Sequence, residues 1–189
     1  FVWELAVEKL AQWQKDGRDD LYISVNISTK DFCYMDVYKT ITSLVEKYKI
    51  VPSTLKLEIT ETAIMTGTAG EIEIIEQFRK YGFEVEIDDF GSGYSSLNML
   101  KDVKVDALKL DRVFFESGDN DERGKDIIQS VIKLAQALDL HTISEGVEER
   151  KQVEFLKEMH CDLIQGYVLA KPMPVPEFEQ LAFGTEAAD

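Results

Sequence analysis

The fold is decided by one stretch of the sequence, residues 84–111, which reads EVEIDDFGSGYSSLNMLKDVKVDALKLD. It begins with the alternating residues of a strand at 84–89, and a second run of strand-forming residues follows at 107–111. Between these runs, two glycines mark a turn, and the apolar spacing of 96–101 predicts a short helix. A strand, a helix and another strand in this order predict a βα unit of a parallel sheet.

The same alternation of strands and helices continues in both directions from this unit. Strands are predicted at 21–26, 55–60, 84–89, 107–111, 141–145 and 161–167, and helices at 1–14, 36–49, 68–81, 96–101, 121–138, 149–159 and 175–183. Repeated βα units either close into an eight-stranded barrel or stay open as a doubly wound sheet. A barrel takes about 250 residues, so a chain of 189 residues is about two βα units short of one.

The composition is that of an acidic globular domain, and it narrows the choice of partners. The chain has 21 Lys and Arg residues against 36 Asp and Glu residues, for a formal net charge of −15. Such a surface repels nucleic-acid polymers, which bind through Lys and Arg. No apolar run approaches the ~18 residues of a membrane-spanning helix. A small phosphate ligand held through metal ions is still compatible with this charge.

Polar residues mark the ends of the predicted strands. They are Asn26, Glu58 with Glu61, Asp88 with Asp89, Lys109, Glu145 with Glu148, and Gln165. The carboxyl ends of parallel strands form the face on which barrel enzymes build their sites. The two histidines, His141 and His160, fall at the opposite ends of strands, and we therefore expect packing or surface roles for them.

The oxygen-rich chemistry of this set is typical of sites for hard cations. Carboxylates and one amide, without converging Cys or His, suit Mg²⁺, Mn²⁺ or Ca²⁺ better than zinc or copper. Asp88 and Asp89 are neighbours that point to opposite sides of a regular strand, so the pair would serve two metals, as phosphoryl transfer requires. Each residue alone also has an ordinary explanation, such as a solvated strand end. The ordinary explanation of Lys109 is a salt bridge to Asp111, and a minor alternative is the Schiff base of an aldolase-type barrel.

The segment after the aspartate pair, Phe90-Gly-Ser-Gly-Tyr-Ser-Ser96, contains two glycines. It lacks the Gly-Lys-Ser/Thr of a P-loop, and position 96 is Ser where a dinucleotide-binding turn has its third glycine. The segment is therefore either a tight turn between strand and helix or a lid or anion-binding nest beside the metals.

Taken together, these stretches resemble the EAL domain of bacterial cyclic di-GMP phosphodiesterases. The matching runs occur in the family's order and cover nearly the whole chain: VNIS (25–28), LEITE (57–61), DDFGSGYSS (88–96), KLD (109–111), SEGVE (144–148), CDLIQGY (161–167) and KPMP (171–174). The resemblance implies a TIM-like (β/α)8 barrel that hydrolyses one phosphodiester bond of cyclic di-GMP to linear pGpG. It also implies Mg²⁺ or Mn²⁺ as the cofactor and inhibition by Ca²⁺.

The resemblance implies a two-metal site with a defined ligand set. Asn26 and Glu58 correspond to ligands of the first metal, together with Asp88. Asp88 also corresponds to a bridging ligand, and Asp89 to a ligand of the second metal. Glu145 corresponds to a further ligand or to the base for the bridging water.

The resemblance also implies roles for the residues around the metals. Lys109 corresponds to the lysine that positions or polarises the attacking water. Gln165 corresponds to a residue near substrate and water, and Glu148 to a lesser supporting one. Glu61 corresponds to the anchor of a lid loop that links the site to dimerisation and that contains Phe90, Gly91, Ser92, Gly93, Tyr94, Ser95 and Ser96.

One departure from the family pattern bears on activity. The Glu-Ala-Leu run that names the family does not occur in these 189 residues. We therefore expect an N-terminally incomplete EAL domain over 1–183, lacking about the first two βα units, followed by a tail at 184–189. This chain alone is expected to be weakly active or inactive, and its intact parent active.

The resemblance further implies a cytoplasmic homodimer that binds cyclic di-GMP. A sensory or GGDEF domain is expected upstream in the parent, which can itself be membrane-anchored, but no nucleic-acid polymer and no direct membrane insertion are expected. The alternative function is that of a non-catalytic EAL-like receptor for cyclic di-GMP or for a protein partner. Receptors of that kind usually lose metal ligands or the lid motif, whereas the lid motif and every ligand within these 189 residues are intact. The feature that discriminates the two functions is the first-strand residue of the Glu-Ala-Leu motif, which these residues do not contain.

Overall fold

The computed structural model describes residues 1–91, 97–115 and 122–184. In that part of the chain, six strands form one parallel sheet in which each strand pairs with the next along the sequence. A doubly wound sheet reverses its strand order at a switch point, whereas a barrel does not, so this order favours the barrel. The strands are β1 (Ile23–Ile27), β2 (Leu55–Thr60), β3 (Val85–Phe90), β4 (Ala107–Leu110), β5 (His141–Ser144) and β6 (Leu163–Ile164).

The described helices lie between these strands and at both ends of the chain. The helices are α1 (Val2–Lys15), α2 (Thr29–Tyr34), α3 (Val37–Tyr48), α4 (Glu61–Thr66), α5 (Ala69–Tyr81), α6 (Leu97–Asp102), α7 (Glu122–Ala137), α8 (Arg150–Glu158) and α9 (Val175–Phe183), with 3₁₀ turns at Pro52–Thr54 and Arg112–Phe115. Two short helices, α2 and α4, directly follow a strand and are not predicted by apolar spacing. Each of them begins at a capping residue. Ser28 and Asp31 form a capping box at the first, and the Thr60 side chain accepts from the Ala63 N–H at the second.

The last strand is shorter than the sequence indicates. A strand is predicted over 161–167, but β6 contains only Leu163–Ile164. Within the described residues it pairs with β5 alone, so its other edge has no ladder to extend it. The backbone of Gly166 then runs against Val147, where a Cβ on the glycine would lie 2.1 Å from the Val147 carbonyl oxygen. The chain therefore leaves the sheet early at a position that only glycine can occupy.

The packing of the sheet against the helices fixes which side chains face the site. Burying an aliphatic side chain contributes about 1.5–3 kcal/mol, so this layer determines the register. Because strand residues alternate, the intervening positions of β2, β3 and β4 point to the inner face of the sheet. The side chains on the helical side are at most 1% exposed and comprise Leu57, Ile59, Val85, Ile87, Leu108 and Leu110.

The first and last helices are neighbours in the outer layer. The indole Nε1 of Trp13 in α1 donates to Oε1 of Glu179 in α9 at 2.8 Å, and the Trp13 and Phe178 ring centroids lie 5.6 Å apart. The helical layer thus continues around the sheet from its end to its beginning. None of the described helices is both long enough and apolar enough to cross a membrane. Both histidines, His141 and His160, are exposed, as predicted.

Candidate active site

Lys109 is the centre of the candidate site. It lies on β4 between two side chains buried on the helical side, so its own side chain points to the inner face. Its Nζ lies 2.7 Å from Oε1 of Glu58, 2.9 Å from Oε1 of Glu145 and 3.0 Å from Oδ1 of Asp88. The lysine side chain is only 4% exposed. One buried ammonium therefore joins carboxylates from the carboxyl ends of three other strands.

The surroundings of Lys109 fix its protonation state. Burial alone would lower the pKa of Lys109, but hydrogen bonds and attraction from Glu58 and Glu145 outweigh burial and raise that pKa. The side chain therefore remains an ammonium at neutral pH. A Schiff-base lysine needs the neutral amine as its nucleophile, so the aldolase alternative is disfavoured.

Asp88 and Asp89 converge through a β-bulge. The register between β3 and β4 shifts between Ile87 and Phe90, and Asp89 takes a left-handed φ of 56°, which Asp adopts more readily than most residues. The expectation that the two side chains point to opposite sides of the strand is therefore wrong, because the bulge re-aims one of them. One carboxylate oxygen from each of Asp88, Asp89 and Glu145, here called the acidic cluster, lies within 4.8 Å of the others.

The pKa values in the acidic cluster reflect burial and mutual repulsion. Burial raises the pKa of Glu145, and Lys109 only partly opposes this effect. Burial, the charge of Asp88 and a hydrogen bond with Asp111 raise the pKa of Asp89. A divalent cation would reverse this repulsion, since its charge favours the ionised carboxylates.

The donor set fits such a cation. Its atoms are carboxylate oxygens, the ligands that Mg²⁺ and Mn²⁺ prefer. Within the described residues, the buried Oδ1 of Asp88 has no hydrogen-bond partner, although the Lys109 Nζ lies 3.0 Å away as an ion pair. A carboxylate oxygen without a hydrogen-bond donor, in a cluster of acidic side chains, is an available metal ligand.

The other predicted site residues lie at the same end of the sheet but make fewer contacts with Lys109 and the acidic cluster. Glu58 is 8% exposed and bound to Lys109, and Asn26 stands beside it in register on β1 with an exposed side chain. Gln165 and Glu148 are both exposed. In the described part of the chain, no hydrogen bond or ion pair joins their side chains to Lys109 or to the acidic cluster. The structure thus places Asn26, Gln165 and Glu148 at the rim, with their roles still predictions.

The beginning of the predicted lid loop is held by Glu61. This residue opens α4, is 3% exposed, and its Oε2 accepts a hydrogen bond from the Gly91 N–H at 3.1 Å. Phe90 is 2% exposed and packs into the core. The rest of the predicted loop, 92–96, lies outside the described residues. Glu61 therefore contacts the first glycine of the loop, which directly follows the bulge.

Asp111 belongs to this group, although the sequence predicted for it only an ordinary salt bridge to Lys109. Hydrogen bonding with its side chain and its charge help to raise the pKa of Asp89, and its N–H donates to the Phe90 carbonyl at 3.3 Å. The signal that would have found it is its spacing, because it lies two residues after Lys109 and so shares the face of that lysine.

These features define a TIM-like barrel with an acidic cluster that fits a divalent metal ion. The chain matches the EAL domain family over residues 1–172 and belongs to that family. The family assignment made from the sequence motifs is thereby confirmed. The motifs 109–111 and 144–148, at the ends of β4 and β5, supply the lysine and the glutamate that meet in the site.

Curated relatives and a solved structure agree with this assignment. The chain is 36% identical over 180 residues to the cyclic di-GMP phosphodiesterase NbdA of Pseudomonas aeruginosa, covering 95% of this chain and 23% of that protein. It is 33% identical to the bifunctional diguanylate cyclase/cyclic di-GMP phosphodiesterase MucR of the same organism, covering 94% and 26%. The PaMucR phosphodiesterase in complex with c-di-GMP matches with a TM-score of 0.88 and 33% identity, covering 94% of this chain and 72% of that one. The TIM-like fold is thus confirmed, and the chain spans about a quarter of the length of these curated relatives.

Proposed function

We propose that this chain contains the catalytic core of a phosphodiesterase that hydrolyses cyclic di-GMP to linear pGpG. The observation that carries the proposal is the contact of the buried Lys109 ammonium with carboxylates from three strands, beside the acidic cluster. Fixed charges aimed at a phosphate stabilise the charge that develops in its transition state. The substrate class is supported by the relatives, since NbdA is named a cyclic di-GMP phosphodiesterase and PaMucR was solved with c-di-GMP.

Mg²⁺ or Mn²⁺ is the proposed cofactor, at a two-metal site. Asn26, Glu58 and Asp88 would hold one ion, and Asp88, Asp89 and Glu145 the other. When bound, such ions neutralise phosphate charge and lower the pKa of a water molecule. Ca²⁺ is expected to inhibit, because it prefers more oxygen ligands at longer distances than the smaller cations do.

Lys109 and Glu145 are proposed to act on the attacking water. The Lys109 Nζ donates a hydrogen bond to the water oxygen and holds the molecule in place, while Glu58 and Glu145 fix the ammonium. Glu145 accepts the water's proton at a carboxylate oxygen.

The rim residues complete the proposed site. Gln165 binds substrate or water through its amide. Glu148, which is exposed and follows β5, has a lesser supporting role in the site. Glu61 anchors the lid loop 90–96 through the Gly91 N–H. A loop anchored near its beginning in this way would serve as a lid that excludes bulk water from the reaction.

The wider setting is proposed from the family. The full-length protein is a cytoplasmic homodimer with a sensory or GGDEF domain upstream, in a parent that can be membrane-anchored. The name of MucR describes this combination of cyclase and phosphodiesterase in one protein. The 189-residue chain by itself is weakly active or inactive, because the Glu-Ala-Leu run that supplies a further metal ligand in the family is not part of it.

The test measures cyclic di-GMP turnover by the protein at its full natural length with Mg²⁺, Mn²⁺ or Ca²⁺. Glu145→Gln keeps the side-chain volume and removes the charge, and Glu154→Gln makes the same change at an exposed position of α8. We expect pGpG to form with Mg²⁺ or Mn²⁺ and not with Ca²⁺. Removal of a general base costs about 10²–10⁴ in rate, so Glu145→Gln should lose that factor while Glu154→Gln keeps normal turnover.

Two results would contradict this proposal. Tight binding of cyclic di-GMP without any pGpG, with either cation, would replace the phosphodiesterase proposal by the receptor function. Equal turnover by Glu145→Gln and Glu154→Gln would remove Glu145 from its proposed role.

A further inference from the structure

The backbone at Gly91 is covered by an aromatic ring. Gly91 has a φ of +93°, and a Cβ built on it would lie 2.1 Å from Cζ and 2.4 Å from Cε2 of Phe114. The ring of Phe114 therefore occupies the space that any other residue at position 91 would need. Glycine is required here for its backbone conformation and for the close approach of this ring.

Phe114 reaches Gly91 from the end of the neighbouring strand. It belongs to the 3₁₀ turn Arg112–Phe115, which follows β4 directly, and its N–H donates to the Asp111 carbonyl at 3.3 Å. The Asp111 N–H in turn donates to the Phe90 carbonyl at 3.3 Å, and the Asp111 Oδ1 accepts from the Val113 N–H at 2.7 Å. These bonds hold the ring over the residue that follows β3.

Gly91 is thus held from two directions. Phe114 covers one side, and the buried Glu61 accepts the Gly91 N–H from α4. Two residues earlier stands Asp89, whose left-handed φ of 56° aims its carboxylate into the acidic cluster. A bulge with left-handed residues on both sides of Phe90 costs conformational free energy and persists only where its surroundings hold it.

We propose that Phe114 is a positioning residue for the acidic cluster. Its ring, together with Glu61, fixes Gly91 and so holds the bulge in the form that brings the Asp88 and Asp89 oxygens together. Phe114 contacts neither substrate nor metal and acts through the backbone of Gly91. The inference rests on the proposed function only in taking the acidic cluster as the site of Mg²⁺ or Mn²⁺.

The experiment measures Mn²⁺ affinity and thermal unfolding of the protein at its full natural length and of three variants of it. Phe114→Ala removes the ring, Phe114→Leu keeps part of its volume, and Val113→Ala is the matched control in the same turn, where Val113 is 38% exposed. Loss of a group that supports metal ligands typically weakens metal affinity about 10–100-fold. We expect a rise of that size in the Mn²⁺ Kd for Phe114→Ala, a smaller rise for Phe114→Leu, and a Kd within about twofold of wild type for Val113→Ala.

A purely structural role would lower the Tm and leave the Mn²⁺ Kd unchanged, and that result would overturn the proposal. If Phe114→Ala does not fold, a folded Phe114→Leu with the wild-type Kd would overturn it as well. A Kd that rises as expected in a protein without cyclic di-GMP turnover would refute the proposed function and leave the role of Phe114 standing. Absence of Mn²⁺ binding by the full-length wild-type protein would refute both.

Discussion

Carboxylates at the two ends of the sheet are used in opposite ways. At the amino end, Asp106 accepts from Nε and Nη2 of Arg79 at 2.7–3.1 Å and from the Val85 N–H at 2.9 Å. Asp162 likewise accepts from the N–H and the hydroxyl of Thr142, at 2.8 and 2.9 Å. These oxygens are satisfied by donors from α5 and from the first residues of β3 and β5, so they tie the segments before β4 and β6 to the rest of the fold.

At the carboxyl end, the carboxylates lie close to one another. Asp88, Asp89 and Glu145 bring oxygens within 4.8 Å, and Lys109 is the cation among them. Burial and like charge raise the pKa of Asp89 and Glu145, which is an energetic cost to the folded protein. The contrast agrees with the general division of TIM-like barrels, in which one end stabilises the fold and the other carries the chemistry.

The largest expected effect comes from removing the cation at the carboxyl end. Lys109→Met keeps the length of the side chain and deletes the ammonium that contacts three carboxylates. We expect cyclic di-GMP turnover with Mg²⁺ by the full-length protein to fall by about 10²–10⁴, the usual contribution of a group that acts on the reacting water. A cooperative thermal transition first shows that the variant is folded, and steady-state kinetics then measures the loss of turnover.

The matched control is Lys104→Met, which removes an exposed lysine just before β4, at the amino end. Its turnover should equal that of the wild type. If the two lysine variants lose activity to the same degree, the functional distinction between the two ends is wrong.

The second effect concerns stability at the amino end. Asp106→Asn can still accept the Val85 N–H but loses the charge opposite Arg79, so the free energy of unfolding should fall by about 1–2 kcal/mol. Turnover per folded molecule should not change, since the residue lies away from the site. Urea unfolding compares Asp106→Asn with Asp162→Asn. The donors to Asp162 are the neutral N–H and hydroxyl of Thr142, so the asparagine side chain at position 162 can still accept both hydrogen bonds. An equal loss in both variants would show that the ionic character of the Arg79 contact contributes nothing.

The order of the elements and the place of the site could be predicted from local patterns. Alternating apolar residues such as Leu57 and Ile59 determine the face of β2, and with it the direction of Glu58. The polar residue that ends each strand then lies on one side of the molecule, because parallel strands end together. This is why Glu58, Asp88, Lys109 and Glu145 were identified as partners without any distances.

The convergence of the aspartates could not be predicted in the same way. A regular strand places Asp88 and Asp89 on opposite sides, and only the left-handed backbone at Asp89 shows that a bulge intervenes. That conformation depends on contacts from distant segments, Glu61 and Phe114, which no local pattern reveals. The proximity of Asp111 to Asp89 was missed for a related reason, since the spacing places Asp111 on the face of Lys109 but does not show where the bulge directs Asp89.

The smallest effect lies between the two ends, at Glu86 on β3. This carboxylate is 1% exposed, and Lys56 approaches it at 3.4 Å while binding Glu84 at 2.9 Å. Burial raises the pKa of Glu86, with the charge of Glu58 adding to the effect and Lys56 opposing it. The folded protein therefore retains a proton that the unfolded chain releases. The stability contributed by this proton is complete below the ordinary carboxyl pKa of 4.5 and is lost as the pH rises through the raised value.

Glu86→Gln should remove this loss, because a neutral amide does not titrate. Relative to the variant, the wild type should lose free energy of unfolding, on the order of 1 kcal/mol, as the pH rises from about 5 to about 8. Urea unfolding with EDTA at both pH values measures the difference. Glu84→Gln is the control, since Glu84 binds the same Lys56 but is 40% exposed, and it should follow the wild-type pH dependence. If Glu86→Gln parallels the wild type instead, the middle of the sheet contributes no titration, and the cost of clustered carboxylates is confined to the end that carries Lys109.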